Sequence, residues 1–305
     1  MLKEGFDKTK DLTKEGLEKA KQLYHKALEI DPDEARALAG LSRVAATEGG
    51  YGYGDVETCI REGKAAGLKA LALDETLAEA HDIMGWISMA YDFDWAAAEK
   101  YFRRAYQLAP GSAVVLTGLA SYEAYGGDIR AALRLCDDAI RLDPLDPGTH
   151  HFGAKVQYAA GDLNKALEFS RRALELSPGM TSMHAVIAVL HALLGHYDEA
   201  LDHANQEAKS GYHYWAKTIV HHARGEKQQS DDALTSLLQC GGEWAVQFAG
   251  AHAMRGEIDE AFAALEVAYR AHDSGICLSK IHPTLRNLHD DARWPQFLRK
   301  IGLGD

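Results

Sequence analysis

Proline is scarce in this chain, seven among 305 residues, which leaves long stretches free to run as helix. Cysteine is scarce too. Cys59, Cys136, Cys240 and Cys277 lie far apart and form no CxxC pair, which favours reduced thiols in a cytosolic protein over a disulfide framework. Positive charge is in deficit: Asp and Glu outnumber Lys and Arg by 45 to 33, for a net charge of −12, and no basic run interrupts the acidity. Such a surface repels phosphate backbones, so no nucleic-acid partner is expected. Long apolar runs are missing as well. The most apolar window, residues 183–194, is interrupted by His184 and His191 and is too short to span a bilayer. The polar, lysine-rich opening is no charged-then-apolar leader. The expectation is a soluble, cytoplasmic protein with no membrane partner. What is present is 47% hydrophobic and 26% charged residues, a composition that packs rather than one that stays disordered.

The informative feature is a period. Ala98, Ala132, Ala166 and Ala200 are successively 34 residues apart; Gly127, Gly161 and Gly195 repeat at 34, and so do Pro110, Pro144 and Pro178. Three series sharing one spacing point to stacked helix pairs of tetratricopeptide length. The small residue near the start of each second helix sits where two backbones come closest. Glycine follows the first helix, where a left-handed cap is cheapest without a β-carbon. Proline ends the second helix because it cannot continue the hydrogen-bond ladder. A further alanine series (Ala105, Ala139, Ala173) continues the stripe that packs on the next unit.

Extending the template outward predicts an all-α, right-handed tetratricopeptide superhelix of about eight helix pairs. The first repeat carries Ala20, Tyr24, Ala27 and Pro32, with Thr13 as N-cap. The second is about nine residues longer, and its glycine-tyrosine segment, residues 49–55, reads as a surface loop. RGEKQQSDDAL and RGEIDEAFAAL continue the array, with turn glycines Gly225 and Gly256 and close-contact residues Ser230 and Ala261. The array is expected over 1–273. Residues 274–305 read as a capping segment whose Leu285, Leu288, Phe297, Leu298 and Ile301 cover the last repeat. The short polar helix at the N-terminus reads as a first helix lacking its packing partner.

The segments KALALDETLAEAH, DWAAAEKYFRRAYQLAP and GEIDEAFAALEVAYRAHDSG, with KIHPTLRNL and ARWPQFLRKIGL behind them, resemble bacterial tetratricopeptide regions fused to adenylyl cyclase, winged-helix regulator or serine/threonine-kinase domains. The resemblance covers essentially the whole chain and implies a sensing or docking module. No Gly-rich phosphate loop and no kinase HRD or DFG set accompanies it.

Fifteen histidines raise the question of metal. Adjacent pairs such as His150–His151 and His221–His222 point about a hundred degrees apart on a helix, and His184 and His191 are separated by about 10 Å of rise. His81, His150 and His184 fall at the fourth position of a repeat, and His191, His221 and His252 at the eleventh, where packing residues belong. No metal and no cofactor is expected. Cys136 replaces an aromatic and reads as buried filler. Carboxylates lie in solvated turns, so no catalytic set is expected and the chain does not read as an enzyme.

In this fold the first helix of each pair lines the inner surface through a stripe with three- and four-residue spacing. That stripe contains Arg36, Arg43, Glu79, Asp82, Trp86, Thr117, Ser121, Tyr125, His151, Lys155, Tyr158, Tyr212, Trp215 and His222. Exposed aromatics beside hydrogen-bond donors suit an extended peptide, so the expected function is protein-protein interaction or regulatory scaffolding, with a protein or peptide as partner. The chaperone-type lysine-asparagine clamp is absent: Ala39 and Arg43 stand there. Two rival readings are a small-molecule sensor, holding a metabolite near Trp86, Tyr125 and Tyr158, and a histidine-dependent enzyme. Self-association, where it occurs, is expected through the terminal repeats.

Overall fold

The computed structural model describes residues 1–241 and 244–304. Residues 242, 243 and 305, which fall within the expected array and cap, lie outside the described residues. Helices follow one another in pairs: α1 (Leu2–Lys10) with α2 (Lys14–Ile30), α3 (Ala35–Gly50) with α4 (Val56–Leu73), α5 (Ala78–Ala90) with α6 (Trp95–Leu108), α7 (Ala113–Gly126) with α8 (Ile129–Leu142). Then come α9 (Pro147–Ala159) and α10 (Leu163–Leu176), α11 (Met183–Leu193) and α12 (Tyr197–Gln206), α13 (Gly211–Ala223) and α14 (Lys227–Leu238), α15 (Ala245–Met254) and α16 (Ile258–Arg270). Two 3-10 turns, Ser274–Leu278 and Pro283–Leu288, and α17 (Trp294–Lys300) form the tail. No strand occurs among the described residues.

The periodic residues do what their chemistry predicts. Ala98, Ala132, Ala166, Ala200 and Ala261 have no exposed surface, and neither have Ala105, Ala139, Ala173 and Ser230. A side chain no larger than a methyl or hydroxymethyl lets the two backbones of a pair approach. Gly127, Gly161, Gly195, Gly225 and Gly256 close the first helices at φ from +76° to +112°, a region open to glycine and costly for other residues. A further 34-residue series supports each second helix. Asp94, Asp128 and Asp162 accept hydrogen bonds of 2.9 Å from the backbone N–H three residues on, the standard N-cap arrangement.

The chain divides into two compact units. Unit 1 comprises Met1–Phe152 and Leu176–Met180, and unit 2 comprises Gly153–Glu175 and Thr181–Asp305, so the division falls within α9.

In unit 1, Thr13 caps α2 as expected, accepting from Gly16 N at 3.0 Å. Contrary to expectation, α1 does not lack a partner. It packs on α2 and α3, and its last residue, Lys10, bonds Asp143 Oδ2 at 2.6 Å. Beside it, Ser177 Oγ donates to the Asp11 carbonyl at 2.7 Å. The long second repeat also differs from expectation. Most of its added residues lengthen the helices, 16 in α3 and 18 in α4 against 14 each in α7 and α8. Gly49 and Gly50 close the last turn of α3, and residues 51–55 alone make the connection, with Tyr51 stacked on Tyr53 at 5.9 Å.

In unit 2, one core cluster joins Ala188, Ala200, Trp215, Ile219 and Leu237 across α11 to α14. The tail buries Leu285, Leu288, Phe297 and Ile301, while Leu298 is half-buried. Arg293 lies over the Phe262 ring and Lys300 over Tyr269, which fastens α17 to α16.

Candidate interaction faces

Within unit 1 the odd-numbered helices α3, α5 and α7 form one layer, and much of the predicted stripe is knitted into it. Arg43 on α3 donates to Asp82 on α5 at 2.7 Å. Asp82 is fully buried, and burial pushes its carboxyl up to about 6 against the opposing pull of Arg43. Thr117 and Thr149 hydroxyls lie 3.1 Å apart, and Ser121 Oγ donates to the Thr117 carbonyl. Tyr125 is 1% exposed and meets Trp86 edge-on on one side and Phe152 on the other. Thus Asp82, Ser121, Tyr125 and His151, expected on a solvent-facing stripe, are buried. The reason is geometric: adjacent first helices pack so closely that side chains on the stripe meet each other before they meet solvent. Arg36 and Glu79 are exposed, and Arg43, Trp86 and Thr117 are half-buried.

In unit 2 the corresponding face carries the chain's own tail. Residues of α15 form its bed. Asp273 accepts from Val246 N, Asn287 donates to the Ala253 carbonyl at 3.1 Å, and a β-carbon on Gly250 would stand 2.2 Å from Thr284 Oγ1. Further along, His282 lies edge-on to Trp215, and the Arg286 guanidinium lies close enough to Tyr158 to favour its ionised form against burial. Trp215 is therefore 4% exposed rather than a free anchor. Tyr158 and Tyr212 are half-buried, the latter edge-on to Trp244 at 4.9 Å, and His222 is exposed. Lys155 is half-buried, and burial lowers its ammonium to about 8. Burial together with Lys155 holds the His282 imidazole down at about 4, and burial pushes the Cys277 thiol up to about 12.

The histidines follow a rule that sequence inspection missed. His81 and His150 each bond, through Nε2, the carbonyl six residues earlier at 2.9 Å, and His213 does so through Nδ1 at 3.2 Å. Each ring pins the turn that precedes its helix. His221 and His252 instead bond Glu226 and Glu257 at 2.6 and 2.7 Å, and those carboxylates also accept from Arg224 and Arg255. The repeated string H-x-x-R-G-E marks both clips. His184 and His203 bring their Nδ1 atoms within 3.1 Å. Among the described residues no group of three or more His, Cys, Asp or Glu is placed to hold a metal ion. Cys136 is buried, as its position predicts.

Paired helices with buried alanines, left-handed glycine caps and a 34-residue repeat define the tetratricopeptide-repeat fold. Solved structures agree with that assignment. The chain is similar to the human IFIT1 dimer with m7Gppp-AAAA, at 17% identity over 84% of this chain and 68% of that one, with a TM-score of 0.59. It is similar to the APC/C hetero-tetramer Cut9-Hcn1, at 16% identity over 81% of this chain and 45% of that one, TM-score 0.58. It is also similar to PilW, a type IV pilus biogenesis factor, at 16% identity over 65% of this chain and 92% of that one, TM-score 0.51. No family model matches the chain, and no curated protein sequence matches it. No helix among the described residues is long and apolar enough to cross a membrane.

Proposed function

We propose that the chain is a protein-interaction scaffold that docks a protein segment on the odd-helix face of unit 1. The observation that carries this reading is the tail of unit 2. There the same kind of face already holds an irregular stretch of chain by ring contacts and by hydrogen bonds with its backbone. In unit 1 the layer of first helices carries the half-buried Trp86 and the exposed Arg36 and Glu79, an aromatic residue and charges of both signs on one face. The Cut9-Hcn1 assembly illustrates a protein partner on this fold. IFIT1 was solved with a capped oligonucleotide, but a net charge of −12 favours a basic protein over a phosphate backbone.

The test is to capture a partner from the source cell and titrate it against charge-reversed variants. Arg36→Glu and Glu79→Arg should each shift affinity about tenfold, the size of one well-placed interface contact. Arg104→Glu, exposed on the second helix α6, should leave it unchanged. A loss confined to Arg104→Glu would move the docking surface to the opposite layer.

A further inference from the structure

We propose that unit 2 holds a binding site for a small organic carboxylate, formed by Lys155 on α9, Trp215 on α13 and His282 on the tail. All three residues belong to unit 2.

The first observation is a set of donors without acceptors. The Trp215 indole N–H is buried and has no hydrogen-bond partner among the described residues. A buried donor left unpaired is costly, and native structures usually satisfy it with protein, water or ligand. This one lies where the tail crosses α15: a β-carbon on Gly250 would be 3.2 Å from Trp215 Nε1 as well as close to Thr284. The second donor is His282. Its Nδ1 bonds the Thr284 hydroxyl at 3.0 Å. In the tautomer in which Thr284 donates, the ring proton sits on Nε2, which bonds nothing else among the described residues. The third is Lys155, near enough to depress the His282 imidazole and itself in no ion pair or hydrogen bond among the described residues.

The second observation is the shortage of acceptors. Asp273 belongs to the same tail, yet its oxygens accept from the backbone N–H groups of Gly275 and Val246 at 2.9 and 3.3 Å. The site therefore offers N–H groups and asks for an oxygen-rich anion. Charge narrows the class. Lys155 supplies one formal positive charge, and His282 is neutral near pH 7. Arg286 is exposed, and its charge acts on Tyr158. One half-buried cation with two neutral donors matches a singly charged carboxylate, whose two oxygens accept several hydrogen bonds, better than a dianionic phosphate.

The experiment follows indole N–H signals of the full chain during titration with sodium propionate. Five tryptophans give five signals, and Trp215→Phe identifies the one that matters. That signal should move along a saturating curve, while propionamide and sodium chloride at equal ionic strength leave it in place. Lys155→Met should weaken the response at least tenfold and should still fold, because it removes a charge that burial disfavours. A signal that stays still in the wild type overturns the site. So does an equal response in Lys155→Met, or in chloride. A tripeptide with a free C-terminus moving the signal where propionate is inert overturns the small-acid assignment.

Discussion

Lys10 Nζ stands 2.6 Å from Asp143 Oδ2 across 133 residues of chain, and 3.5 Å from Asp146 Oδ2. The pair ties the end of the first helix to the turn between α8 and α9, closing unit 1 on itself. Burial lowers the Lys10 ammonium, but the bond to Asp143 and the field of both carboxylates outweigh it, so its pKa is raised. A raised amine contributes stability that is fully present below its unfolded value near 10.5 and is lost as pH rises through its folded value. Lys10→Met should therefore cost about 1 kcal/mol at pH 7, the upper range for a partly exposed pair. It should also speed proteolytic cleavage within residues 1–13. A double-mutant cycle with Asp143→Asn measures the coupling, and zero coupling would mean that the contact contributes nothing.

Ala166 tests the period directly. It has no exposed surface and packs in the cluster of Leu167, Ile187 and Leu190. Ala166→Arg places a long charged side chain in that contact and should cost about 3 kcal/mol or more. Glu168→Arg, two residues on and exposed, should stay within about 0.5 kcal/mol. Thermal melts of the two variants decide it; coincident curves would disprove the close contact.

The contrast between these two residue pairs explains how far the sequence could be read. Ala166 and Gly161 belong to local series, and local geometry alone requires a small side chain at one and a positive φ at the other. The hairpins, their caps and the burial of Cys136 follow from that. Lys10 with Asp143, or Trp215 with His282, belongs to no series, because nothing in a 34-residue period encodes contacts beyond neighbouring units. The inner stripe was legible as a face but not as a surface. Helical spacing puts Tyr125 and Asp82 on the side of the neighbouring first helices; it does not reveal that Trp86, Phe152 and Arg43 cover them. The histidine clips were within reach, since H-x-x-R-G-E occurs twice, but their meaning depends on Glu226 and Glu257 folding back on the ring.

Gly250 should control the tail. Any β-carbon there would meet Thr284 Oγ1 at 2.2 Å and Trp215 Nε1 at 3.2 Å. Gly250→Val should displace the second 3-10 turn at a cost of about 1–3 kcal/mol, the range for overpacked sites. The helix pairs should persist, so far-ultraviolet dichroism stays constant while the near-ultraviolet signal changes and protease cuts appear at 279–290. Unchanged protease resistance would show that the tail is not held by this contact.

Arg43 and Asp82 separate a structural role from a docking role by their pH dependence. Asp82 is fully buried, its Oδ2 bonded to Arg43 and its Oδ1 without a hydrogen-bond partner among the described residues. Removing only the guanidinium leaves a buried carboxylate uncompensated, so Arg43→Met should cost about 3–5 kcal/mol at pH 7. With Arg43 gone, burial acts on Asp82 unopposed and its pKa rises above the value near 6 that it has beside the arginine. An acid whose folded pKa lies above its unfolded value is destabilising while ionised in water and buried in the fold. That penalty is relieved as pH falls through the folded value towards the unfolded one. The cost of Arg43→Met should therefore shrink between pH 7 and pH 5. The double variant Arg43→Met with Asp82→Asn should recover at least half of it at pH 7 and show little pH dependence in that window. If the pair serves the fold alone, neither variant alters partner affinity beyond its effect on the folded fraction. A cost for Arg43→Met that stays constant from pH 7 to pH 5 would mean that Asp82 remains ionised without its partner, and that water reaches the carboxylate.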